Sequence, residues 1–212
     1  MAQIAESTGH HGAEEEHNCT GIDHRKLLMW VFLSTDCLFF GALISTYMVY
    51  RGQSLVGPYP VDIINIPITT ISTFVLLCSS FAMVMALSNT NRDNLKGIRI
   101  WLAGTAIMGM IFIGFQIVEF TEFAMEGLLL STNLFGTTFF TLTGFHGAHV
   151  SIGIVWLWVM FYQSFKGKVG SKTALNVELC GLYWHFVDIV WIVIFTLLYL
   201  VGGFDAGPPI VG

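Results

Sequence analysis

The residues of this chain able to do chemistry are a few polar side chains set inside long apolar stretches. His146 and His149 stand three apart in Gly144-Phe145-His146-Gly147-Ala148-His149, a spacing that puts both rings on one face of a helix. His185 and Asp188 repeat that spacing, and Glu178 precedes His185 by seven residues on the same helical face. Gln116 and Glu119 are again three apart. Asp36 follows Ser34 and Thr35, about ten residues into an apolar run that begins at Leu27.

Each group supports two kinds of chemistry. The His146/His149 pair is a candidate for metal or haem ligation, but a metal site wants more than two ligands. A haem would need an opposing axial imidazole, for which only His185 is left in an apolar run. The other reading is a pair of structural histidines bonding across helices, with Gly144, Gly147 and Ala148 letting a neighbour approach closely. The Glu178/His185/Asp188 face reads as a proton relay or a lipid-headgroup site, or as a helix–helix clamp of about 0.6–2 kcal/mol per bond. Asp36 suits proton exchange or lipid contact, or a neutral carboxyl bonded to its surroundings, with Ser34 and Thr35 as local partners. Gln116 and Glu119 form a helix-end pair of an amide and an acid, and Glu119 with Glu122 and Glu126 could make a solvated acidic rim.

The elements that must position these residues are five apolar runs, at about 27–50, 66–88, 98–120, 135–162 and 179–201. Each is long enough to cross roughly 30 Å of hydrocarbon as a helix rising 1.5 Å per residue. None alternates in polarity as a membrane strand would, and backbone groups in lipid must bond within their own segment. The composition agrees: 54% hydrophobic and 11% charged, against roughly 25% charged in soluble domains. The expected fold class is therefore all-α integral membrane, a bundle of five transmembrane helices. A nucleic-acid partner is not expected, because the net charge is −5 and no basic patch exists.

Eight of the nine Lys and Arg residues fall before the first run or in the second and fourth connections; Arg51 alone lies on the other side. The positive-inside rule then puts the amino terminus in the cytoplasm and the carboxyl terminus outside. Residues 1–24, with His10, His11, His17 and Glu14–Glu16, read as a polar mobile tail, and 204–212 as an irregular Gly/Pro-rich end. Cys19, Cys37, Cys78 and Cys180 are scattered with no CxxC pair, which indicates neither a zinc site nor a disulfide framework.

Five stretches together resemble subunit III of the haem–copper oxidases, in that family's order. They are WVFLSTDCLFFGALISTYMVY (30–50), IGFQIVEF (113–120), TFFTLTGFHGAHVSIG (138–153), the acid at Glu178, and YWHFVDIVWIVIFTLLYL (183–200). The resemblance covers about Trp30 to Gly203. Asp36 matches the family's acidic position, usually Glu in cytochrome c oxidases and often Asp in quinol oxidases.

The resemblance implies the five-helix bacterial form of a subunit whose longer members have seven helices. It implies two helix groups separated by a V-shaped cleft that holds phospholipid, here the first two spans facing the last three. Asp36, His146, His149, Glu178, His185 and Asp188 would lie near the cleft or the helix contacts. It further implies no cofactor in this chain, with haems and copper in partner subunits, contact with subunits I and II, bound phospholipid, and support of proton uptake and of resistance to turnover-linked inactivation in a bacterial plasma membrane. Three histidines at membrane depth are too few for a catalytic haem–copper subunit. Rival readings are a bis-histidine haem b carrier using His146 and His185, a proton-coupled transporter using Asp36 and Asp188, and a nitric-oxide-reductase-associated homologue.

Overall fold

The computed structural model describes residues 23–51, 53 and 66–201. The amino-terminal tail with its histidines and the carboxyl-terminal end lie outside the described residues, except that Asp23 and His24 belong to the first helix and its cap. The chain forms α1 (His24–Tyr50), α2 (Ile66–Asn91), α3 (Leu95–Met125), α4 (Leu134–Phe165), a 3-10 turn (Ser171–Thr173) and α5 (Ala174–Ile194). Beyond Ile194, α5 continues as a π-helix, Phe195–Val201. Among the described residues, five helices are long and apolar enough to cross a membrane.

Several of these helices run past the apolar stretches because polar caps start and stop them. Asp23 accepts from Arg25 N at 2.8 Å, Asn94 Oδ1 from Gly97 N at 3.3 Å, and Asn133 Oδ1 from Gly136 N at 2.7 Å. Each cap satisfies one of the amide donors that a helix start leaves bare. At the far ends, Gly127 (φ 86°) and Gly167 (φ 65°) take the left-handed conformation after α3 and α4. The next residues reach back to close the helix, Leu128 N to Phe123 O at 2.9 Å and Lys168 N to Gln163 O at 3.2 Å.

The packing departs from the division implied by the resemblance. The first two helices do not form a group facing the other three. Helix α2 packs along α3 and α5, and α1 rests on α4 and α5. The reason lies in the side chains each helix offers. Helix α2 carries Thr69, Ser72, Thr73, Ser79 and Ala82 on its buried face, small residues that admit the Trp side chains of α5. Only 11% of the apolar stretch of α1 is buried, against 44% in the last span. So α1 is the peripheral helix, held mainly by aromatic contacts such as Phe39–Phe145 and Phe40–His149.

Cross-chain bonds fix which helix ends share a side. Lys26 pairs with Glu178, Asp93 accepts from Ser171 N and Oγ at 2.7 Å each, and Arg99 donates to Ser164 O at 3.2 Å. These put the basic residues of the amino-terminal flank and of the α2–α3 and α4–α5 connections at one end of the bundle. Arg51 donates to Val201 O at the other end. Exposed Leu38, Phe74, Ile100 and Ile117 cover the outside, as a lipid-facing surface requires.

The centre is organised on Trp184. Its ring is sealed between α3 and α4, where a Cβ on Gly109 would fall 2.6 Å from it and a Cβ on Gly153 2.9 Å. Its Nε1 donates to Ser79 Oγ at 3.0 Å. One indole therefore joins α5 to α2, α3 and α4.

Candidate functional site

The polar residues read from the sequence do not gather in one place. They divide into a contact between α1 and α4, a hydrogen-bond ladder between α2 and α5, and two separate ion or acid sites at opposite ends.

The first site is Asp36 with His149. Asp36 Oδ2 lies 3.7 Å from His149 Nε2, a charge contact longer than a hydrogen bond. His149 Nδ1 sits 2.7 Å from Phe145 O. A carbonyl only accepts, so Nδ1 carries the hydrogen and a neutral ring turns a lone pair toward Asp36. Ser34 and Thr35 do not assist Asp36: they donate to Trp30 O and Val31 O at 2.8 Å, the back-bonding usual for hydroxyls inside a helix. Tyr183 OH donates to His149 O at 2.9 Å and ties α5 to this contact.

His146, one turn before His149, has a different environment. It is fully buried, stacks on Trp191 at 4.9 Å, and meets Phe112 and Phe40 edge-on at 6.0 and 6.4 Å. Neither ring nitrogen finds a hydrogen-bond partner among the described residues. The bis-histidine haem reading requires His146 and His185 to face each other. His146 is instead enclosed by these aromatics, and His185 turns Nδ1 to Ser80 Oγ at 2.6 Å. Among the described residues no three His, Cys, Asp or Glu side chains are grouped to hold a metal ion.

The ladder between α2 and α5 has three rungs: Trp184 to Ser79, His185 with Ser80, and Trp191 to Thr73 Oγ1 at 2.9 Å. Asp188 lies between the last two, 3% exposed, with neither carboxylate oxygen in a completed hydrogen bond. The Ser80 hydroxyl approaches it but is also engaged by His185. Sequence reading singled out His185 and Asp188 and missed Ser79, Ser80 and Thr73. Their signal was present as hydroxyl residues recurring along one face of an apolar helix.

Glu178 joins two helices, because Lys26 from α1 reaches it at the basic end of the bundle. Long lysines extend along apolar surface to such partners. Glu119 is not a solvated rim residue. It is 7% exposed and accepts from Thr69 Oγ1 at 2.8 Å and Tyr199 OH at 3.1 Å, joining α2, α3 and the π-helix. The π turn leaves Tyr199 fully buried, where its hydroxyl reaches that carboxylate. Gln116 donates Nε2 to Thr143 O at 3.0 Å.

Between α1 and α5 lies an apolar groove of about 310 Å³, lined by Trp30, Leu33, Ser34, Cys37, His185 and Ile189 among others. One imidazole, that of His185, lies on its wall.

Comparison with known proteins agrees with this architecture. The family model described as cytochrome c oxidase subunit III matches residues 4–203, so the match begins well before the Trp30 at which the motifs start. Quinol oxidase subunit 3 of Bacillus subtilis is 39% identical over 173 residues, covering 82% of this chain and 85% of the relative. Probable quinol oxidase subunit 3 of Staphylococcus saprophyticus is 36% identical, covering 88% and 96%. Cytochrome c oxidase subunit 3 of Bacillus sp. PS3 is 33% identical, covering 90% and 92%. With five membrane-crossing helices and these relatives over most of its length, the chain belongs to the cytochrome c oxidase subunit III family and is a multi-pass membrane subunit of a haem–copper oxidase.

Proposed function

We propose that this chain is a supporting subunit that carries no redox centre, packs against the haem- and copper-bearing subunit I of the oxidase, and shares the complex with subunit II. In this reading it sits in a bacterial plasma membrane with its basic end in the cytoplasm. The grouping of Arg25, Lys26, Arg92, Lys96, Arg99, Lys166, Lys168 and Lys172 at one end supports that orientation. Phospholipid occupies the α1–α5 groove, and its acyl chain lies along Leu33 and Ile189. The observation that carries the supporting role is the Asp36–His149 contact. In this reading the carboxyl and imidazole, on the helix whose apolar stretch is least buried, exchange protons and assist proton uptake.

The relatives at 39% and 36% identity are quinol oxidase subunits, and the one at 33% is a cytochrome c oxidase subunit. Together with Asp at position 36 this favours quinol as the electron donor of the complex.

The test is purification of the intact assembly through a tag on this chain, with native mass measurement, haem and lipid analysis, and oxygen uptake with quinol or cytochrome c. The expected result is a complex whose haem resides in another subunit and whose mass includes phospholipid. A Soret band retained by this chain alone would overturn the reading.

A further inference from the structure

The groove between α1 and α5 carries one group that a lipid chain does not use. His185 lines it, half-buried, with Nδ1 committed to Ser80 Oγ at 2.6 Å. Its Nε2 makes no hydrogen bond among the described residues and is not sealed inside the bundle. Ser34, the hydroxyl on the α1 wall, is spent on Trp30 O at 2.8 Å. We propose that this groove also binds the ring of a quinone or quinol, in exchange with the phospholipid chain, with one ring oxygen on His185 Nε2. The inference rests on the reading of quinol as the electron donor of the complex.

Three observations select that occupant. The first is depth. Lys26 and Glu178 mark the basic end of α1 and α5, and Arg51 with Val201 marks the other. His185 stands seven residues beyond Glu178 and sixteen before Val201, about 10 and 24 Å along the helix at 1.5 Å per residue. The charged and ester groups of a phospholipid stay in the interfacial region outside the hydrocarbon. At the depth of His185 an acyl chain therefore offers the imidazole neither donor nor acceptor. A quinone carries its oxygens on an apolar ring and brings them into the hydrocarbon. The second observation is the shared hydroxyl. Ser80 lies between His185 and the buried Asp188, whose two oxygens have no completed hydrogen bond. With that hydroxyl donating to Nδ1, Nε2 carries the hydrogen and donates to a quinone carbonyl. With the hydroxyl turned to Asp188, Nδ1 carries the hydrogen and Nε2 accepts from a quinol hydroxyl. Rotation of one hydroxyl thus suits the imidazole to either form. The third is the wall. Trp30 and Phe186 offer flat rings for stacking, and Leu33 and Ile189 offer branched side chains to an isoprenoid tail. The volume, about 310 Å³, is that of a small-molecule site.

The experiment uses the whole detergent-purified oxidase and a photoreactive azidoquinone with a short isoprenoid tail. Label on this chain is counted and placed at peptide level, for wild type, His185→Phe, Cys37→Trp and Ser151→Ala. Cys37 is exposed on the α1 wall, so Cys37→Trp fills the groove while leaving His185 and Ser80 in place. Ser151 is exposed on α4 and lies outside this groove. Native mass checks that each variant stays in the complex. Labelling is repeated with excess unlabelled quinone and with excess phospholipid, and oxygen uptake is measured with quinol and with cytochrome c.

The expected result is label on residues 30–37 or 182–189, removed by unlabelled quinone. It should fall about tenfold in His185→Phe, the size of one hydrogen bond to a ring oxygen. It should fall in Cys37→Trp as well, and stay at the wild-type level in Ser151→Ala. A complex that oxidises quinol but takes no label in this groove overturns the proposal and leaves the donor reading intact. So does label that survives both His185→Phe and Cys37→Trp, or label that phospholipid removes and quinone does not. Oxygen uptake with cytochrome c and none with quinol would instead defeat the donor reading, and this inference with it.

Discussion

His149 Nε2 faces Asp36 Oδ2 across 3.7 Å while its Nδ1 is committed to Phe145 O at 2.7 Å. The second contact decides the chemistry of the first. Because Nδ1 must hold the hydrogen, a neutral His149 ring presents Nε2 to Asp36 as an acceptor. Phe39 and Phe40 pack against the imidazole and keep it in place.

The first prediction tests that couple. Asp36→Ala should leave the haem content of the complex unchanged and shorten its working life during turnover several-fold. Asp36→Asn should behave like the alanine variant, since an amide fills the space but exchanges no proton at that site. The measurement is the number of turnovers completed before oxygen uptake decays. An unchanged lifetime in both variants would reduce Asp36 to a structural residue.

At the basic end, Asp93 holds Ser171 through its backbone N and its hydroxyl. These two bonds, with Lys172 nearby, hold the Asp93 carboxyl below its ordinary value of 3.8. A depressed value in the folded state means that the clasp is stabilising above the unfolded value and is lost as pH falls through the folded one. Amide exchange in the α2–α3 and α4–α5 connections should therefore stay slow at neutral pH and quicken only below about pH 3.8. Asp93→Asn should show the quickened exchange at neutral pH, with little further response to acid. An acid response unchanged by the substitution would assign the effect elsewhere.

Glu119 gives a third test. Its two oxygens are divided between Thr69 and Tyr199. Tyr199→Phe removes one donor and should lower stability in mild detergent by about 0.6–2 kcal/mol, the range of interhelical bonds in membranes. Thr69→Val should cost a similar amount. The double variant should lose more than the sum, because the buried carboxyl is then left with no donor. Additive losses would show that the two bonds act separately.

Much of the fold was legible in the sequence because the bilayer leaves the chain few options. Runs such as 66–88 had to be helices, and they are, within a few residues. The excess at the ends, residues 95–97 at the start of α3 for example, was not legible, because Asn94 as a cap lies outside the apolar pattern. Helix partners were harder. Nothing in the runs themselves says that α2 packs on α5; the hydroxyls of Thr73, Ser79 and Ser80 and the rings of Trp184 and Trp191 must meet before the pairing is visible. Glu119 illustrates the same limit. As one of three acids near a helix end it looked solvated, and only Tyr199, 80 residues later, shows that it is not. Lys26 and Glu178 were each plain in the sequence, but 152 residues separate them.

The last prediction concerns Trp184, where four helices meet. Its ring fills the space left by Gly109 and Gly153, and its Nε1 donates to Ser79. Trp184→Phe removes the bond and part of the ring, leaving a void that lipid cannot enter. The cost should be about 2–4 kcal/mol, from lost contacts and the lost indole bond, while Ser79 Oγ keeps its own bond to Leu76 O. Gly109→Val works from the opposite side: its Cβ alone would stand 2.6 Å from the indole, so α3 must shift, at about 1–3 kcal/mol. If both act through the same contact, combining Gly109→Val with Trp184→Phe should be milder than the two losses added, because the smaller ring makes room for the new methyls. Detergent unfolding of the four proteins measures this coupling. Simple additivity would mean that Gly109 and Trp184 do not share one packing site, and that the bundle is centred elsewhere.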